Sequence, residues 1–161
     1  MKIAVYSESP ADEAALRILL DAIRGEPTTP VDVHNNLRAN GWSSVRALLP
    51  NTIRFLYYQT DADGLVVLVD SDDTPVHRPE HEVAGGFQPT CRVCMFRDLA
   101  DRTLAAIAPH RPDRTLRVAV ALAVPAVEAW WRCGLDPHVT EQSWARRRRC
   151  PTTRGTCKAE A

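Results

Sequence analysis

The chain has 161 residues and a mass of 17.9 kDa, with 45% hydrophobic and 25% charged residues. That suits one globular domain with its own core and excludes an intrinsically disordered protein. Lys plus Arg and Asp plus Glu both number 20, so the formal charge is zero. A basic coat over the whole chain is excluded, although a local patch is not. The longest apolar run, Val118 to Val127, spans ten residues and is too short to cross a bilayer. Glu8 interrupts the N-terminus before any apolar signal core, so a cytoplasmic protein with no membrane span is expected.

In chain order, Lys2 to Ser7 reads as a short buried strand. Pro10 to Arg24 follows with Ala14, Ala15, Leu16, Ile18, Leu19, Leu20 and Ile23 at helical spacing. Pro10 is tolerated because the first turn of a helix needs no donor there, and Gly25 and Pro27 stop the element. Val31 to Asn35 is a weak second strand. Ser43 to Tyr57 is helical, with Trp42, Val45, Leu48 and Leu49 on one side, and Pro50 predicts a break or restart within it. Leu65 to Val69 is apolar without interruption and ends in Asp70, as expected of a strand covered on both faces inside a parallel sheet.

Thr74 to Thr90 has many Pro, Gly and His residues and no periodicity, so it is a long loop. Met95 to Ile107 is helical and Arg117 to Val124 is a further buried strand. Pro125 then opens a helix containing Glu128, Trp130 and Trp131, and Val139 to Trp144 starts a last one. Strands alternating with helices predict an α/β fold with a mainly parallel sheet flanked by helices. The strands around Ala4, Val67 and Ala119 are expected to be central. The domain covers residues 1–144, with a loop insertion at 74–94. Residues 145–161 form a tail that holds six of the 20 basic residues and one of the 20 acidic ones. The tail reads as a solvated, disordered end or, alternatively, as a phosphate-binding arm.

Asp70-Ser71-Asp72-Asp73 follows an apolar strand directly. In extended chain Asp70 and Asp72 point to the same side, and ligand sites of open α/β sheets lie at the carboxyl ends of strands. Carboxylates crowded there repel unless a cation lies between them, and Mg²⁺ favours hard oxygen ligands. An acidic turn capping the next element is the plainer alternative. Glu8 ends the first strand and is expected at the same edge. Glu128 lies in an apolar block, where it must be paired, ligating or exposed.

The blocks YSESPADEAAL, LVVLVDSDD and AVPAVEAWW resemble those of a Toprim domain, and more narrowly the small stand-alone Toprim proteins grouped with the overcoming-lysogenization-defect nucleases. Glu8, Asp70, Asp72 and Glu128 match that family's acidic positions within residues 1–135. Ser9 stands where the family usually has glycine, which puts a close backbone approach to phosphate in question. The resemblance implies a Rossmannoid Toprim-like fold and a nuclease or phosphodiesterase using Mg²⁺, in the setting of mobile-element defence. It implies that the aspartates hold the metal, that a glutamate serves as ligand or general base, and that a nucleic acid is the partner.

Five cysteines, an odd number without a secretion signal, favour metal or free thiols over a disulfide framework. His77, His81, Cys91 and Cys94 have the spacing H-x3-H-x9-C-x2-C, and thiolate and imidazole are the preferred ligands of Zn²⁺. A structural zinc would order a loop that has no core of its own. The alternative is two solvent-facing histidines and two free thiols. Cys133 and His138 are substitute ligands. Neither a phosphate-binding G-x-x-x-x-G-K-[ST] nor a G-x-G-x-x-G motif occurs. Two functions follow: a Mg²⁺-dependent phosphodiesterase, or a catalytically inactive zinc-stabilised module that binds nucleic acid or protein.

Overall fold

The computed structural model describes residues 1–127 and 130, apart from positions 73, 84 and 125. Four parallel strands form one sheet: β1 (Lys2–Tyr6), β2 (Thr29–Val31), β3 (Gly64–Asp70) and β4 (Arg117–Ala123), in the order β2-β1-β3-β4. Three helices connect them: α1 (Pro10–Arg24), α2 (Trp42–Gln59) and α3 (Arg92–Ile107).

Strand alternation sorts the core into two layers. Ala4, Tyr6, Leu65, Val67 and Val69 face α2 and α3, where they pack with Val45, Leu49, Ile53, Leu56, Phe96 and Ala100. Val5 and Leu68 point to the opposite face and pack with Leu16 of α1. Both faces of β1 and β3 are therefore covered, and their sequences are apolar at consecutive positions for that reason. β4 is an edge strand among the described residues, not a central one, and its residues alternate between exposed and partly buried over the first half.

The chain moves from β1 out to β2 and then crosses back past β1 to β3. The order reverses between β1 and β3, which makes their carboxyl ends the switch point where open α/β sheets bind ligands. No helix among the described residues is long and apolar enough to cross a membrane.

Local chemistry explains most boundaries. Ser9 caps α1, its Oγ accepting from the Asp12 amide at 3.3 Å. Gly25 takes the left-handed conformation (φ +70°) and closes the helix on the Asp21 carbonyl. The predicted apolar spread of α1 is buried less than its spacing suggests. Leu16 is buried, whereas Ile18 and Ile23 are each 73% exposed. The second strand lies at Thr29–Val31 and not at Val31 to Asn35, where a 3-10 turn (Asn35–Leu37) intervenes.

Pro50 does not break α2, which runs through it. The buried stripe Val45, Leu49, Thr52, Ile53, Leu56 and Tyr57 continues across the proline, and this packing outweighs one missing hydrogen bond. Helix α3 begins at Arg92, three residues before the sequence expectation. The helix after Pro125 is described only at Val127 and Trp130. Glu128, Cys133, His138, the helix expected at Val139 to Trp144 and the basic tail lie outside the described residues.

Candidate functional site

Two polar sites adjoin the first turn of α3. The first is the His/Cys corner. The loop after β3 makes a 3-10 turn at Pro79–His81 and folds back so tightly that a Cβ on Gly86 would run into the Glu80 carbonyl. Cys91 and Cys94 stand at the N-cap and third residue of α3, buried against Val120 and Leu122 of β4. One donor atom from each of His77, His81, Cys91 and Cys94 lies within 4.8 Å of the other three, so the four can hold a metal ion such as zinc. Among the described residues this is the one such group of His, Cys, Asp and Glu.

The separations match a coordination sphere. His77 Nδ1 is 3.5 Å from both sulfurs, and His81 Nδ1 is 3.7 Å from Cys94 Sγ. Tetrahedral bonds of about 2.3 Å to sulfur and about 2.0 Å to nitrogen place S and N about 3.5 Å apart. The far nitrogen of His77, Nε2, lies 3.0 Å from Glu82 Oε1, and Arg97 donates to the same oxygen at 2.7 Å. A carboxylate on the far nitrogen fixes the tautomer that leaves Nδ1 free to ligate. Both Arg97 and His77 hold the exposed Glu82 carboxyl below its ordinary range. Burial pushes the Cys91 thiol up, so without a cation it is the neutral thiol that packs there.

The second site is the carboxylate edge at the β1/β3 switch point. Glu8 and Asp70 meet there, as the parallel register requires. Glu8 Oε1 accepts from the Asp70 amide at 3.0 Å. Asp70 turns its own Oδ1 to the Val127 amide at 3.0 Å. Asp72 does not continue the strand. The chain turns after Asp70, Thr74 N–H donates to the Ser71 carbonyl, and Asp72 takes φ +44°. The alternation expected of extended chain therefore fails between Asp70 and Asp72. Ser9 adopts φ −148°, ordinary extended backbone that needs no glycine.

Arg92 stands among these carboxylates, at a position to which the sequence pattern assigns no role. It is 5% exposed. Its Nη2 is 3.0 Å from Asp72 Oδ2, its Nη1 is 3.7 Å from Glu8 Oε1, and Nη1 also donates to the Asp70 carbonyl. The guanidinium lies 4.9 Å from the centre of the Trp42 ring, a cation–π contact. Its trace in the sequence is slight: it lies between two candidate zinc cysteines, at the start of α3. Burial pushes the Glu8 carboxyl up. The Asp70 amide and Arg92 counter this in part, while the negative charge of Asp72 adds to it. Glu8, Asp70 and Asp72 do not gather their oxygens around one point as the His/Cys donors do.

Comparison with protein-family models finds none that matches the chain, and comparisons with curated proteins and with solved structures find no match either.

Proposed function

We propose that the protein is a Toprim-type phosphodiesterase or nuclease, dependent on Mg²⁺, whose α/β domain is stabilised by a structural Zn²⁺ at His77, His81, Cys91 and Cys94. The observation that carries the enzymatic reading is the placement of Glu8, bonded to the Asp70 backbone amide, at the switch point of the sheet, with Asp72 in the turn just beyond. Hard carboxylate oxygens suit Mg²⁺, and Asp70 and Asp72 are the residues to hold it. A bound Mg²⁺ supplies charge stabilisation at the attacked phosphate and a more acidic water. Glu8, whose carboxyl is raised by burial, would serve as the general base. Arg92 neutralises part of the negative edge that a phosphodiester must approach.

Zinc is the ion that suits the corner, because two thiolates and two imidazoles at tetrahedral spacing, backed by a carboxylate, match its preference. A second reading has its own support. Arg92 already occupies the space between Glu8 and Asp72, as it would in an inactive zinc-stabilised module that binds nucleic acid or protein. Cleavage of single- and double-stranded DNA and RNA with Mg²⁺ or Mn²⁺, by wild type and Asp70→Asn, separates the two. Metal-dependent cleavage lost in the variant supports the enzyme; binding without cleavage in both supports the module.

A further inference from the structure

The two polar sites share one turn of helix. Cys91 and Cys94 flank Arg92, one residue before and two after, so two of the four corner ligands grip the backbone that carries the guanidinium. The thiols face β4 and the loop histidines, while the arginine side chain leaves the turn toward Glu8, Asp70 and Asp72. Cys91 makes no side-chain hydrogen bond as N-cap, so nothing of the usual kind fixes the start of α3.

Burying a guanidinium is costly unless its donors are met. The two Nη atoms find oxygen partners, but Nε is buried with no hydrogen-bond partner among the described residues. With one donor unmet, the guanidinium keeps its place through its Nη contacts, whose geometry depends on the backbone that carries it.

We infer that the metal corner is a positioning device for Arg92, so that the arginine is fixed among the edge carboxylates only while the His/Cys site is filled. This rests on the zinc reading of the corner. It goes beyond a structural zinc because it makes one side chain at a second site depend on the ion. The device lets metal loading decide whether Glu8 and Asp72 face an internal cation.

The molecule carries its own control. Arg114 also has a buried Nε without a partner among the described residues. It lies at the opposite end of the sheet, where Nη2 donates to the Ala62 carbonyl at 2.8 Å and to the Leu56 carbonyl at 3.3 Å. Solvent exchange of the two Nε–H groups, followed by ¹⁵N NMR on the full chain, reads both positions at once. Arg92→Lys and Arg114→Lys assign the signals.

In zinc-loaded protein both groups should exchange slowly. After zinc is stripped with a chelator, Arg92 should speed up by about tenfold or more while Arg114 keeps its protection. Cys94→Ser, made without chelator, should reproduce the pattern. Unchanged Arg92 exchange with zinc shown to be gone overturns the inference and leaves the zinc reading standing. Loss of both signals together also overturns it, because the ion then holds the whole fold and not this side chain. A chain that takes up no zinc overturns the zinc reading, and the inference with it.

Discussion

At the His/Cys corner four donor atoms face one another at metal-ligand separations. At the carboxylate edge, on the other side of the same helical turn, a guanidinium stands between Glu8 and Asp72, and Asp70 bonds a backbone amide. The contrast follows from the resting charge of the donors. Thiols and imidazoles are largely neutral near pH 7 and can crowd together at small cost before an ion arrives, and burial of Cys91 strengthens that tendency. Carboxylates are ionised, and a cluster of them needs a counter-charge in the folded chain itself. Sequence spacing reveals that a cluster of acids needs a cation; it does not reveal whether the cation is a metal or an arginine.

Cys94→Ser is the hardest blow to the corner. About one equivalent of zinc per wild-type chain is expected, and less than about a tenth in the variant, by elemental analysis of protein never exposed to chelator. Far-UV circular dichroism should change little, since the two main core layers are built from other residues. Wild type without zinc would remove the contrast between the sites.

Asp70→Asn tests the edge. The amide keeps an oxygen for the Val127 amide but loses the charge, so any Mg²⁺-dependent cleavage should fall by at least about a hundredfold with stability nearly unchanged. Equal turnover in wild type and variant would refute Asp70 as a ligand. Glu82→Ala removes the partner of His77 and should weaken zinc binding by about ten- to a hundredfold in chelator competition. An unchanged affinity would mean that the carboxylate does not orient the ring.

The pH dependence sharpens the difference further. The folded-state pKa of Glu8 lies above its ordinary value of 4.5, so the folded chain holds that proton more tightly than the unfolded chain. Its contribution to stability is full below the ordinary value and is lost as pH rises through the raised one. Denaturant titrations across that window should show wild type losing stability relative to Glu8→Gln, and parallel curves would contradict the shift. If Glu8 is the base, cleavage should rise over the same window. The smallest effect belongs to Ser9→Ala, which removes the cap of α1 and should cost about 1 kcal/mol in urea unfolding without touching either site.

The α/β alternation, the buried runs of β1 and β3, the full extent of α1 and the His/Cys set are legible in the residues alone. Each of these depends on local information: apolar periodicity, a cap and a glycine, or residue types with strong metal preference. Other features depend on packing between elements distant in sequence. Pro50 lies inside α2 because a buried stripe holds the helix on both sides of it. β4 falls at the edge of the described sheet because strand order depends on crossovers, which leave no mark on the strand's own residues. Asp72 leaves the strand alternation because the turn after Asp70 sets it at positive φ. Arg92 is the clearest case. Glu8 and Arg92 are 84 residues apart, and only packing of α3 against the sheet brings the charge of one to the other.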